Sequence, residues 1–328
     1  MPIAKPSSSL LQRRAVEWPT LGLCLVIYGG WAFCTFFYRD IPWPLLILAG
    51  GWLIAWQMSF QHEVLHGHPT RWRWFNDALG FPPLTLWLPY RIYRASHLRH
   101  HRDAHLTDPL EDPESYYLTG ERFARLGPLA RAWLRLIHTF PGRIMLGAIW
   151  SVAIFLKGQA SACIHGNRAA RRIWFWHLLG VAAVLGWVMS VCGMPLWLYL
   201  LAFVVPGRML ASIRSFAEHR AAPEAGERTA IVENAPVLGL LFLHNNLHVV
   251  HHSHPGLPWY RIPGVYRAHR EAIIAANGGL VYDGYWDVAR RYFWNAHHAG
   301  PHPGFTAPRA PLPGSSQPLG TLSQQSAG

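Results

Sequence analysis

From Leu21 to Tyr38 the chain carries no charged side chain. A stretch of that length and apolarity is close to the roughly 20 residues a helix needs to cross the hydrocarbon of a bilayer. Inside a bilayer only structures that satisfy their own backbone polar groups survive, which here means helices. A second apolar run follows Arg39-Asp40-Ile41-Pro42, from Trp43 to about Phe60. A third runs from Ile173 to Val191 and a fourth from Pro195 to about Ile213, with Cys192-Gly193-Met194 as the turn between them. The pattern predicts an all-α integral membrane fold of four transmembrane helices in two hairpins. A weaker stretch, Ile144 to Leu156, is too short and too interrupted by glycine to span, and is expected to lie at the interface. Composition agrees: 51% of residues are hydrophobic, 17 are tryptophan and only 14% are charged, against about 25% in ordinary soluble proteins.

Charge placement predicts topology. Arg13 and Arg14 precede the first span, six arginines between Arg71 and Arg102 follow the second, Arg171 and Arg172 precede the third, and Arg214 and Arg220 follow the fourth. The short loops on the other side hold only Arg39 and Asp40. By the positive-inside rule both termini are expected in the cytoplasm, in a membrane of the bacterial inner type. The net charge of +12 is therefore read as loop arginine, with no nucleic acid among the partners. The four cysteines show no ligand spacing and read as small apolar residues. The first apolar run lacks a small-residue cleavage site, which argues against a removable signal peptide. Three regions are expected: a cytosolic N-terminal segment (1–20), a membrane domain with a cytosolic histidine-rich cap (21–298), and a disordered tail rich in Pro, Gly and Ser (299–328).

Twelve of the 20 histidines fall in three windows, 62–68, 97–105 and 244–254. Within them stand His62-Glu-Val-Leu-His66, His97-Leu-Arg-His100-His101 and His248-Val-Val-His251-His252. Positions i, i+3 and i+4 share one helix face, so each cluster is expected to point two or three imidazoles one way. Neutral imidazole suits iron, zinc, copper and nickel. Eight imidazoles exceed the needs of one tetrahedral ion, which argues for two metals in one site. All three clusters follow spans two and four, so the same side of the membrane receives them. Other chemistries were weighed. His62-Glu63-Val64-Leu65-His66 matches the HExxH zinc-protease motif, but a protease leaves the other two clusters unexplained. Bis-histidine haem or a metal transporter would place ligands inside the spans, where only His177 lies well within.

An HxxxH box followed by two HxxHH boxes on one side of four spans resembles the membrane fatty acid desaturase and hydroxylase superfamily, over roughly residues 40–270. Further likeness lies in Gly67-His68, Asp108-Pro109, Asp112-Pro113, His252-Ser-His254-Pro255 and Arg214-Ser-Phe-Ala-Glu218-His219. His-Pro-Gly-Leu-Pro-Trp-Tyr-Arg-Ile-Pro from position 254 is similar also to carotenoid ketolases and hydroxylases of that superfamily. The resemblance implies iron ligation by His62, His66, His97, His100, His101, His248, His251 and His252, with His219 a ninth ligand. It implies two non-haem iron ions, O2 as co-substrate, and oxygen-dependent desaturation of a fatty acyl chain. Carotenoid or lipid hydroxylation is the alternative, and an HExxH zinc membrane protease a distant one. An external electron donor of ferredoxin, rubredoxin or cytochrome b5 type is expected, since no electron-carrying motif is present. His68, His105, His244 and His254 read as neighbours of the ligands or loop residues, and His138, His165, His177, His269, His297 and His298 as structural. Glu218, Asp103 and Asp108 are candidates for orienting the ligands, and Glu63 either does so or faces solvent. Trp52, Trp56, Phe60, Trp87, Trp197 and Phe203 could line an acyl tunnel, and the basic loops could bind an acidic headgroup, a CoA or a carrier protein.

Overall fold

The computed structural model describes residues 16–298 and 300–305; Arg13, Arg14 and most of the expected tail lie outside them. Two long apolar helices, α1 (Trp18–Phe36) and α2 (Trp43–Leu65), form the first hairpin. α2 continues beyond the expected end at Phe60 to Leu65, so that His62 lies within it and His66 caps its C-terminal end. Short helices α3 (Arg73–Gly80) and α4 (Tyr90–His100) follow, then the amphipathic α5 (Pro128–Ile137). Three more long apolar helices come next, α6 (Phe140–Ile164), α7 (Arg168–Val191) and α8 (Leu196–Ala217).

The fold is mostly helical, but not wholly so. A parallel pair of three-residue strands, β1 (Ile231–Glu233) and β2 (Val281–Asp283), departs from the all-α expectation. Strands this short leave no periodicity to read. The second departure is α6: the stretch expected to be too short is part of a 25-residue helix, making five helices long and apolar enough to cross a membrane among the described residues. Gly147 and Gly158, which interrupted the apolar pattern, are buried. Within the segment read as a tail, His302 and Phe305 are buried as well.

Small residues decide how the helices meet. A Cβ on Gly50 would lie 2.5 Å from the Ala202 carbonyl oxygen, one on Gly51 2.9 Å from Pro206, and one on Gly207 2.5 Å from the Ile54 Cβ. Such close backbone approach is the packing mode that small residues permit between membrane helices. The contacts advance together along both helices, so α2 and α8 run parallel and end side by side. Around this seam lies a core of Trp31, Leu53, Ile54, Val188, Met194, Tyr199 and Phe203.

The loop between α3 and α4 folds back along α2. Its carbonyls are satisfied by side chains: Gln61 Nε2 donates to Gly80, Gln57 Nε2 to Pro82, and the Tyr199 hydroxyl to Leu84. Trp31 Nε1 in turn donates to the Tyr199 oxygen at 3.0 Å. Irregular backbone is tolerated at membrane depth only with such partners.

α6 begins at the histidine-bearing end, where Phe140 meets Phe216 at 5.5 Å. α7 ends at the opposite end, where the Tyr38 hydroxyl donates to Gly193. Two consecutive full crossings would return the chain to its starting end, so α6 and α7 do not both cross. Gly207→Val is expected to destabilise the α2–α8 seam by about 1–3 kcal/mol through overpacking. Gly264→Ala, at a helical position with open space around it, should leave stability unchanged or raise it. Thermal unfolding of both variants in detergent micelles checks the pair.

Candidate metal centre

Four segments bring histidines to the shared end. His62 lies in the last turn of α2 and His66 follows directly as its C-cap. His97 and His100 end α4, with His101 just beyond. His219 follows α8, and His248, His251 and His252 sit on the short helix α9 (His248–Ser253). β1 holds α9 in place, because the Val232 amide donates to the Asn246 carbonyl and Asn246 Nδ2 returns a bond to the Val232 carbonyl.

All nine residues fall into two groups, His62, His66, His97, His101 and His251 in one, and His100, His219, His248 and His252 in the other. Within each group the potential ligand atoms lie within 4.8 Å of one another. Boxes two and three do not point in one direction, as expected, but divide between the groups. His97 and His101, four residues apart, stay together, while His100 is about 100° round the helix from His101 and turns to the other group. α9 repeats the division in mirror fashion: His248 and His252 share the second group and His251 joins the first. The groups touch, with His101 and His252 rings stacked 4.2 Å apart.

The Nε2 atoms converge: His97–His101, His101–His251 and His100–His219 are each 3.0 Å apart and His219–His248 3.1 Å. Two nitrogens at about 2.1 Å from one ion and at right angles would be about 3.0 Å apart. His62 Nε2 is buried with no hydrogen-bond partner among the described residues, as a lone pair aimed at an ion would be. Burial, reinforced by neighbouring imidazoles, pushes His97, His219, His248, His251 and His252 well below the usual histidine range and His101 down to about 3. These rings are neutral at pH 7, the form that ligates metal.

The opposite ring nitrogens face oxygen. His97 Nδ1 is 3.1 Å from Glu114, His100 Nδ1 2.9 Å from Asp112, His248 Nδ1 2.9 Å from Asn245 Oδ1, and His219 Nδ1 3.3 Å from the Arg228 carbonyl. An N–H donated there leaves Nε2 unprotonated toward the centre. Burial works to lower His100, yet Glu114 and Asp112 outweigh it and raise that ring to about 9. Burial lifts Glu114 to about 7, with His100 opposing.

Of the carboxylates proposed from the sequence, Glu218 lies 3.4 Å from His248 Nδ1 and 3.0 Å from Arg214 Nε. Asp108 instead accepts from the Leu110 and Glu111 amides, and the Asp103 side chain is outside the described residues. Glu63 is buried and accepts from the Trp259 amide, away from both groups. His68 pairs with Glu17 at 2.7 Å, His244 stacks on Trp259, and neither they nor His105 and His254 join a group. Sequence reasoning missed Asp112, Glu114 and Asn245 as partners of the ligands, although Asp112-Pro113 had been noted beside the second box.

A polar cavity abuts the second group, lined by His100, His219, Glu114, Glu218, Tyr116, Ser215 and His298 among others. None of the six aromatic residues considered for an acyl tunnel lines it; Phe60 and Phe203 are fully buried and Trp197 is exposed. His298, read as merely structural, reaches the cavity, and His302 Nε2 lies 3.0 Å from the Thr107 hydroxyl behind it.

A donor set of imidazoles alone, five in one group, exceeds the four positions zinc ordinarily fills and fits a metal of higher coordination number, such as iron. The family model described as fatty acid desaturase matches residues 41–286. That is three quarters of the chain, which therefore belongs to the fatty acid desaturase family, within the membrane desaturase and hydroxylase superfamily. No curated protein matches the sequence.

For the metal-free protein the depressed imidazoles set a pH dependence. Each binds a proton in the unfolded state at about pH 6.5 but not in the folded state, so stability falls as pH drops below 6.5, by about 1.4 kcal/mol per pH unit per ring. His100 has the opposite sign: its contribution is complete below pH 6.5 and is lost as pH rises toward 9. Glu114, raised to about 7, offsets one imidazole between pH 4.5 and 7. Thermal unfolding of chelator-treated protein should therefore show greatest stability near neutral pH and a steep acid-side decline.

Proposed function

We propose that this protein is an oxygen-dependent oxidoreductase that desaturates a fatty acyl chain at a pair of non-haem irons. The observation that carries the reading is the division of nine buried or half-buried imidazoles into two adjoining groups. His62, His66, His97, His101 and His251 would hold one iron, and His100, His219, His248 and His252 the other. When bound, the irons would supply the O2-dependent oxidising power for an unactivated C–H bond that side chains lack. The chain's own residues do the positioning. Glu114, Asp112, Asn245 and the Arg228 carbonyl fix the tautomer of four rings. Arg214 braces Glu218, and the cavity beside His100 and His219 offers a place where water and protons are held by Glu114 and Glu218.

The zinc-protease reading is disfavoured by Glu63, whose carboxylate is engaged by the Trp259 amide instead of facing either group. Hydroxylation or ketolation, of a carotenoid or another lipid, differs from desaturation only in how the substrate carbon is placed, within the fractions of an ångström that govern such steps.

In this reading α1, α2, α7 and α8 cross the membrane and α6 lies along its boundary. The arginine-rich histidine end faces the cytoplasm, as do both termini. The substrate is an acyl chain or membrane lipid, and electrons come from a separate carrier of ferredoxin, rubredoxin or cytochrome b5 type.

Purified protein is expected to contain two irons per chain and no stoichiometric zinc, by elemental analysis. Cells expressing it should accumulate a new acyl double bond, absent with His251→Ala or His100→Ala. One zinc per chain, or unaltered acyl chains, would overturn the proposal.

A further inference from the structure

Two arginines near the cavity have no carboxylate partner. The Arg143 side chain is 6% exposed, and its only contact of polar character among the described residues is with a ring: the guanidinium sits 3.4 Å from the centre of the Tyr116 ring. Stacking on that face leaves the N–H groups round the guanidinium edge without an acceptor. Arg208 donates to the Ser212 and Ser151 hydroxyls, and its Nε is buried without a partner. It also packs its guanidinium near Trp87. The helical segments that carry them, Arg143–Gly147 and Val205–Ala217, pack against each other.

Arginine does not discharge by losing its proton. A buried unpaired cation is therefore costly, and in apolar helices such a residue marks a ligand contact by default. The nearby acids are already committed, Glu114 to His97 and Glu218 to Arg214 and His248. The site is also connected to the metal centre. Arg208, Ser212 and Ser215 fall at helical spacing on one face of α8, His219 follows just beyond its end, and Ser215, Tyr116 and His219 all line the cavity. From Arg208 to His219 is about 16 Å of helix rise.

We propose that Arg143, stacked on Tyr116, and Arg208 form an anion subsite that holds the carboxylate or phosphate head of an acid-headed lipid substrate. This rests on the reading of the cavity as a lipid-oxidising site and narrows its substrate class. An acidic head supplies the missing acceptors and takes the paired bonds a guanidinium makes to carboxylate or phosphate. Held there, it presents to the irons a carbon well down the chain. A neutral carotenoid offers nothing to either arginine.

The test is equilibrium binding to the full-length, iron-loaded protein in micelles, with palmitate, lysophosphatidate, methyl palmitate and inorganic phosphate as probes. An anionic lipid should bind about ten- to a hundredfold more tightly than the methyl ester, the range expected for hydrogen bonds to a charged group. Arg143→Gln and Arg208→Gln should each erode that preference, and Arg143→Lys should retain part of it. The acid-against-ester comparison needs no variant, so a folding failure cannot mask the answer. Equal affinity for acid and ester, or a preference that survives both Gln variants, overturns the subsite. Occupancy by inorganic phosphate alone at the same concentrations keeps the anion site but removes the lipid from it. Iron content measured on the same samples separates the two readings. Lost preference with iron intact counts against the head-group site alone, and acid preference in a protein without iron counts against the metal centre alone.

Discussion

Nine imidazoles share one buried volume, and that crowding governs the structure around them. Protonated, they would repel one another in a medium of low dielectric; neutral, they crowd inward lone pairs together, His62 Nε2 having no hydrogen-bond partner among the described residues. Burial resolves the first difficulty by holding nearly all of them neutral. Cations held between the rings would resolve the second. The carboxylates and carbonyls behind the rings serve the same end, taking the Nδ1 protons so that the inward nitrogens stay free. His100 is the exception: with Asp112 and Glu114 beside it, it is the ring that most readily carries a proton when no metal is bound.

The helix seam makes this crowding possible. Parallel packing of α2 against α8 through Gly50, Gly51 and Gly207 ends both helices at one level, so that His62 and His66 enter one group and His219 the adjoining one. The remaining rings come from elements too short to stand alone. α4 leans on the loop held by Gln57, Gln61 and Tyr199, and α9 on the two-stranded pair. The apolar helices thus act as a rigid base, and the polar segments above it gain order from the contacts they make there. Function and stability draw on the same residues at this end of the molecule.

Much of this was legible beforehand. The first, second and fourth apolar runs were placed to within a few residues, because length and absence of charge report directly on what a bilayer admits. All nine histidines that the family resemblance implied as ligands, eight of them in the three spaced boxes, lie in the two groups. What escaped was of a different kind. α6 was undervalued because its glycines look like interruptions until their contact faces are known. Asp112, Glu114 and Asn245 carry no spacing signature, since a residue that holds the far side of a ring is defined by where the loop folds. His298 was set aside for the same reason: it reaches the cavity only through the return of the chain after the helix Gly284–Tyr292.

The primary structure by itself determined the membrane character, the identity of the imidazoles and their concentration at one end, since apolar length, i/i+3/i+4 spacing and arginine placement are local properties. Only the tertiary structure decided which ring belongs to which group, which carboxylate stands behind it, and that Arg143 and Arg208 remain unpaired. Those outcomes depend on helices meeting at distances set by glycine contacts between residues more than a hundred positions apart, and no local pattern encodes such a distance.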